Sequence, residues 1–154
     1  MKWLLGIGGI LCVIAFGWLP FEGTDVATLE PAEILYVAFD DGVLAETESG
    51  WYGKGATVEQ AVQDLKNASP GQVFLQTVDY LLLQEESLSL LPALYPYLRT
   101  GCMLCITEEK PNLQKAGQYL RAHRPSFTVL DARTGNKQIP KLIMEEERAY
   151  LDGE

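Results

Sequence analysis

The chain has 154 residues, and its 21 acidic residues outnumber 12 basic ones, giving a formal net charge of −9. This length is typical of one domain with its own core, and a hydrophobic content of 47% excludes a disordered chain. The excess of carboxylates argues against a nucleic-acid partner, because phosphate binding needs a basic surface. One histidine and three cysteines leave few ligands for a metal centre or a nucleophile–histidine pair. We therefore expect no metal, no cofactor and no enzymatic activity.

Residues 1–20 contain an uncharged apolar run, residues 3–19. As a helix rising about 1.5 Å per residue, this run would reach roughly 26 Å, the short end of a bilayer crossing. Trp3 and Trp18 lie at its two ends, where interfacial indoles are common. The pattern predicts a single N-terminal transmembrane helix that contacts membrane lipid through residues 3–19. A cleaved signal segment, and hence a secreted protein, is the alternative.

The charges that flank this run predict its orientation. Lys2 precedes it, whereas Glu22 and Asp25 follow it. The positive-inside rule then places the N-terminus in the cytoplasm and residues 21–154 outside the cell membrane. Without Lys2, the remainder has 11 basic and 21 acidic residues, a net charge of −10. Anionic lipid head groups would repel such a domain, so we expect the helix alone to hold it at the membrane.

Three further segments follow the predicted anchor. Residues 21–32 show little apolar periodicity and are predicted to be a linker. Residues 33–132 alternate short apolar runs with amphipathic stretches, which indicates an α/β domain with a mixed sheet of about 4–6 strands and about three helices. Residues 133–154 are predicted to form a polar, partly frayed C-terminal tail. Strands are predicted at residues 33–39, 43–52, 73–75, 78–83, 102–107 and 126–130, and helices after Thr57, between residues 87 and 98, and from Pro111.

The Gly53–Gly55 segment invites comparison with a phosphate-binding loop. A Walker loop needs Ser or Thr directly after Gly-Lys, but here Gly55 and Ala56 separate Lys54 from Thr57. Helix initiation explains the segment better, since Thr57 can cap a helix and Gln60 occupies the capping-box position. The apolar stripe that follows has helical spacing: Val58, Ala61, Val62 and Leu65.

Cys102 and Cys105 form a Cys-x-x-Cys pair inside an apolar run that is predicted to be a strand. In a thiol oxidoreductase this motif lies at a helix N-terminus, which lowers the thiol pKa. Residues i and i+3 of a strand point to opposite faces, so a disulfide would require distortion. We favour structural burial of both thiols, with a disulfide, a zinc site or a membrane-tethered thiol oxidoreductase as alternatives.

The order of elements resembles the N-terminal domain of the spore germination receptor C subunit, the Ger(x)C family. The similarity covers residues 33–122, and it depends on the strand EILYVAF, the Gly-x-Gly-x-Thr segment and the strand CMLCITEE. The residues that match the family motif are Gly53, Gly55, Thr57, Ala61, Leu65 and Arg99. The resemblance implies a membrane-attached, extracytoplasmic, non-catalytic protein of a sporulating Gram-positive cell. It would act in germination with other membrane proteins, as a receptor subunit or an accessory protein. An unrelated envelope scaffold or binding domain is the alternative.

Overall fold

The computed structural model describes residues 29–136, 138–145 and 148–153. The predicted membrane anchor, residues 3–19, lies outside these ranges. Among the described helices, none has the length and apolar character that a membrane crossing requires.

The described residues form nine strands and four α-helices. The strands are β1 Leu29–Pro31, β2 Ile34–Phe39, β3 Val43–Thr47, β4 Tyr52–Gly55, β5 Gln72–Phe74, β6 Tyr80–Gln84, β7 Met103–Thr107, β8 Lys141–Met144 and β9 Ala149–Asp152. The helices are α1 Val58–Ala68, α2 Leu91–Leu94, α3 Leu113–Ala122 and α4 Val129–Arg133. Short 3-10 turns cover residues 75–77, 85–90 and 95–97.

Seven strands make one mixed sheet in the order β4-β3-β2-β6-β7-β8-β9. The four central strands, β2, β6, β7 and β8, run parallel to one another. An antiparallel strand flanks them on each side, with β3 and β4 at one edge and β9 at the other. Strands β1 and β5 form a separate parallel pair. The prediction of a mixed α/β fold is confirmed, but the predicted numbers were too low. The main sheet has seven strands rather than about four to six, and the described residues form four α-helices rather than about three.

Helices cover both faces of the central sheet. Helices α1 and α2 pack with the odd-numbered residues of β2 and β6, such as Leu35 and Leu81, in one apolar cluster. Helix α3 packs on the opposite face with Tyr36, Leu82 and Cys105. Because both faces are buried, β2 and β6 have continuous apolar sequences rather than alternating ones.

The single helix predicted between residues 87 and 98 is wrong. The segment is divided into a 3-10 turn, the one-turn helix α2 and a second 3-10 turn. Pro92 and Pro96 each remove an amide donor, which prevents a continuous α-helical ladder. The apolar spacing survives in this broken form, and Leu91 and Leu94 are still buried.

The strand predicted at residues 126–130 is also wrong. Thr128 makes only an isolated bridge with Met103 and then caps helix α4. Its hydroxyl accepts from the Asp131 N–H at 3.3 Å, and the Asp131 carboxylate accepts from the Thr128 N–H at 2.8 Å. The Thr128 hydroxyl also donates to the Asp131 carboxylate at 2.6 Å. This hydrogen bond, together with the one from the Thr128 N–H, lowers the pKa of Asp131. The Thr-x-x-Asp segment therefore starts a helix where an apolar run suggested a strand.

Three segment boundaries differ from the expectations. The predicted tail, residues 133–154, contains the hairpin of β8 and β9, which extends the sheet beyond β7. The predicted linker, residues 21–32, ends in β1, and Ala32 is buried. The extended run predicted over residues 43–52 turns after Thr47, where Gly50 has a φ of 86°. Most residues that flank β8 and β9 are polar, so local apolar periodicity does not predict this hairpin. The hairpin joins the sheet only through the pairing of β8 with β7.

Candidate functional site

Gly53 and Gly55 lie on β4, which packs directly against the backbone of helix α1. A Cβ atom at Gly53 would come within 3.0 Å of the Leu65 N and Ala61 O atoms. A Cβ at Gly55 would lie 2.5 Å from the Gln60 Cβ and 2.6 Å from the Ala61 N. Only residues without a side chain permit this approach, so the glycines set the distance between strand and helix.

The predicted cap of helix α1 is confirmed. The Thr57 hydroxyl accepts from the Gln60 N–H at 3.3 Å, and the Gln60 side-chain oxygen accepts from the Ala56 N–H at 3.0 Å. Gln60 therefore reaches the residue before the cap, in a variant of the capping box. The hydrogen bonds place Thr57 at the turn between β4 and α1.

Lys54 is held by carboxylates. Its ammonium donates to Asp40 at 2.9 Å, and its backbone N–H donates to the Asp64 carboxylate at 2.9 Å. The hydrogen bond that Lys54 donates to Asp40, and the negative charge of that carboxylate, raise the pKa of Lys54. A lysine paired in this way is a poor phosphate ligand, which agrees with the departure of Gly53–Thr57 from the Walker pattern.

The structure brings five of the six motif residues together and places the sixth elsewhere. Ala61 and Leu65 are fully buried on the side of α1 that faces β4 and the sheet. Arg99 instead forms an ion pair with Asp79, which directly precedes β6. The Asp79 carbonyl also accepts from the Met103 N–H at 2.8 Å. Arg99 therefore lies at the amino ends of β6 and β7, which are separated from β4 and its Gly53 motif by strands β3 and β2.

Cys102 and Cys105 are buried thiols that are not joined by a disulfide. Cys102 belongs to the cluster beneath α1 and α2, and Cys105 belongs to the cluster beneath α3, on the other side of the sheet. Burial raises the pKa of Cys102 to about 12. A redox pair needs adjacent sulfurs and a lowered pKa, so this geometry supports structural burial better than thiol chemistry.

Charged side chains collect at the carboxyl ends of the parallel strands, where open α/β sheets usually bind ligands. Lys141, the first residue of β8, donates to Glu108 at 2.5 Å and to Glu85 at 3.2 Å, which links the carboxyl ends of β6 and β7 to the amino end of β8. Lys110 donates to Glu46 at 2.6 Å. The carboxylates raise the pKa of Lys141 through these hydrogen bonds.

Two shallow clefts lie beside these charged residues, one near the carboxyl end of β7 and one near the amino end of β2. One, of about 130 Å³, lies between Pro111 and the start of β8 and is lined mainly by Glu108, Lys110 and Lys141. The other, of about 370 Å³, lies between the β3–β4 turn and the start of α3. No group of three or more metal-binding side chains occurs within the described residues. The clefts present paired charges, a chemistry suited to polar contacts with a partner.

Sequence reasoning missed two half-buried carboxylate anchors. Glu48 accepts from the Glu33 N–H at 2.8 Å and from the Ile34 N–H at 2.9 Å, and so fixes the start of β2. Glu30 accepts from the Trp51 indole at 2.9 Å and the Ser69 hydroxyl at 2.5 Å. The contacts join residues far apart in sequence, so local periodicity carries no signal for them.

No protein-family model matches the chain, and no curated protein or solved structure matches it either. The fold defines the chain as a mixed α/β domain with helices on both faces of its sheet.

Proposed function

We propose that the chain is a membrane-anchored, extracytoplasmic, non-catalytic protein that acts in spore germination through contacts with other membrane proteins. The observation that supports this proposal is the close packing of β4 on α1. Gly53, Gly55, Thr57, Ala61 and Leu65 carry the family resemblance, and each has a steric or capping role at that junction. A segment constrained at five positions by one packing geometry is a better indicator of related folds than scattered identities.

The charged surface is consistent with a protein that binds others. Lysine–carboxylate pairs lie beside both clefts: Lys141 pairs with Glu85 and Glu108, and Lys110 pairs with Glu46 on β3. Exposed charges of this kind contribute little to stability, but they set partner choice and association rate. An unrelated envelope scaffold would use the same surface, so the two functions differ in their partners and not in their chemistry.

Deletion of the gene in the spore-forming organism that encodes the chain tests the biological role. We expect deleted spores to release dipicolinic acid more slowly after germinant addition, and the wild-type gene supplied in trans to restore the rate. Normal sporulation and normal germination kinetics in the deletion strain would contradict the proposal. Co-purification from spore membranes then separates germination proteins from other envelope partners.

The membrane anchor needs a separate test. We expect the pair of substitutions Ile10→Arg and Ile14→Arg to release the protein from the membrane fraction, because each Arg costs about 2.5–3.5 kcal/mol at the centre of a membrane helix. The matched control carries Ile10→Leu and Ile14→Leu and should stay in the membrane. Equal membrane retention of both variants would contradict the anchor without affecting the role in germination.

A further inference from the structure

The two edges of the seven-stranded sheet differ in whether another described element of the chain binds their backbone groups. At the β4 edge, the Lys54 N–H that points away from β3 is taken by the Asp64 carboxylate of helix α1, at 2.9 Å. This carboxylate blocks the edge against a further strand. At the other edge, β9 pairs only with β8 among the described residues. The backbone of β9 is therefore open to strand addition.

The register identifies which backbone groups of β9 point outward. The Glu145 N–H donates to the Arg148 carbonyl at 2.8 Å, so these two residues form a hydrogen-bonded pair. Hydrogen-bonded pairs alternate along an antiparallel ladder, which assigns Tyr150 and Asp152 to bonds with β8. Ala149 and Leu151 consequently direct their N–H and C=O groups away from β8.

We propose that β9 pairs antiparallel with β9 of a second copy of this chain, with Tyr150 opposite Tyr150 of the partner. In this register Ala149 of each copy bonds with Leu151 of the other, so that the outward backbone groups are satisfied in both copies. The two seven-stranded sheets then join into one continuous sheet across a twofold axis.

Charge complementarity selects both the occupant and the register. Antiparallel pairing centred on Tyr150 places Arg148 of each copy opposite Asp152 of the other. Both side chains are exposed, and neither forms an ion pair with another residue that the structure describes. A shift by two residues in either direction would still satisfy the backbone, but it would lose both Arg–Asp pairs.

The apolar side chains of the hairpin agree with this arrangement. Tyr150 is 43% exposed although it lies within a sheet, and Ile143 stands beside it on β8, only half-buried. Pairing would form an apolar row in which the two tyrosines are central. On the opposite face, Leu151 extends the cluster beneath α3 toward the partner. A four-residue strand pair is small, so we expect a weak dimer that forms as concentration rises.

Disulfide trapping of the full-length chain tests the pairing directly. Tyr150→Cys, in a Cys12→Ser background, places two thiols at a non-hydrogen-bonded pair with Cβ atoms about 5 Å apart. The matched control is Tyr52→Cys, since Tyr52 is an exposed tyrosine on the opposite edge strand, β4. Under mild oxidation in detergent, we expect about tenfold more disulfide dimer from Tyr150→Cys than from the control.

Charge reversal tests the register. Arg148→Asp and Asp152→Arg should each lower the disulfide yield of Tyr150→Cys, because each brings like charges together. The double variant should restore it, because the opposite charges face each other again. Circular dichroism of each variant verifies folding, and the restored double variant provides an internal control.

Two results would overturn the proposal. The first is a disulfide yield for Tyr150→Cys no greater than that for Tyr52→Cys, together with sedimentation as a monomer at all concentrations. The partner of the β9 edge would then be an extended segment of another protein. The other is a double charge-reversal variant that remains as weak as the single variants, which would reject the register centred on Tyr150.

Discussion

Replacing Gly53 with alanine tests the role of the β4–α1 junction most directly. The added methyl group would come within 3.0 Å of the Leu65 N and Ala61 O atoms. These are backbone atoms of a helix, so no side-chain rotation can relieve the overlap and β4 must move away from α1. Such overpacking typically costs 1–3 kcal/mol. Because the obstacle is backbone, we expect the upper part of this range, about 3 kcal/mol.

The movement would also weaken the apolar contacts of α1, since Val58, Ala61, Val62 and Leu65 are buried beneath it. For a domain of this size, a loss of about 3 kcal/mol lowers Tm by about 10 °C. Thermal and urea denaturation of the full-length chain in mild detergent, followed by circular dichroism at 222 nm, measures both quantities.

Gly101→Ala is the matched control, because a Cβ atom at Gly101 would meet no atom within 4 Å. We expect its free energy of unfolding to stay within about 0.5 kcal/mol of the wild type. Gly55→Ala should resemble Gly53→Ala, since its Cβ would lie 2.6 Å from the Ala61 N. If Gly53→Ala and Gly101→Ala unfold at the same urea concentration, the steric explanation of the motif is refuted.

Three further predictions concern polar groups that are buried or half-buried. Glu48→Ala removes the acceptor for the Glu33 and Ile34 N–H groups. We therefore expect the free energy of unfolding, measured by urea denaturation, to fall by about 2–3 kcal/mol. An unchanged urea midpoint would contradict the anchoring role of Glu48. Burial raises the pKa of Cys102 from 9.0 to about 12. The thiol therefore loses its proton at a lower pH in the unfolded chain than in the folded chain. As pH rises from 9 toward 12, the free energy of unfolding should fall by about 1.4 kcal/mol per pH unit. Cys102→Ala should remove this contribution to the pH dependence of the unfolding free energy between about pH 9 and about pH 10. Identical slopes in the wild type and the variant would refute the role of the Cys102 thiol. The buried Thr107 hydroxyl has no hydrogen-bond partner within the described part of the chain, so Thr107→Val should raise the unfolding free energy by about 1 kcal/mol, whereas destabilisation would indicate an unrecognised partner.

Much of the fold follows from local signals. Strands β2 and β6 were predictable because burial on both faces leaves an unbroken apolar run. Helix α1 was predictable because Thr57 and Gln60 cap it within four residues, and its apolar stripe repeats at helical spacing. These signals need no knowledge of the rest of the chain.

The missed elements depend on tertiary contacts. Strand β8 is short and has little apolar periodicity, and it is a strand because β7 offers an open edge through Ile106, which pairs with Lys141. The carboxylate of Glu48 reaches the start of β2 across 15 residues. The 3-10 and α-helical turns between residues 85 and 97 share their apolar spacing with a regular helix, and only the effect of two prolines distinguishes them.

The Gly53–Leu65 motif lies at the packed β4–α1 junction, so it does not identify a surface that recognises partners. Gly53 and Leu65 are buried, so no partner protein can contact either residue in the folded domain. A germination defect caused by Gly53→Ala would therefore report unfolding and not lost recognition. Recognition has to use exposed groups, and the structure supplies two independent sets: the charge pairs around Lys141 at the carboxyl ends of the strands, and the open edge of β9. Lys141→Ala alters the first set without touching Tyr150, whereas Arg148→Asp alters the second. If the proposed germination role depends on one of these sets, spores with the variant in that set should release dipicolinic acid more slowly. The urea midpoint of that variant should stay near that of the wild type. Spores with the variant in the other set should germinate normally.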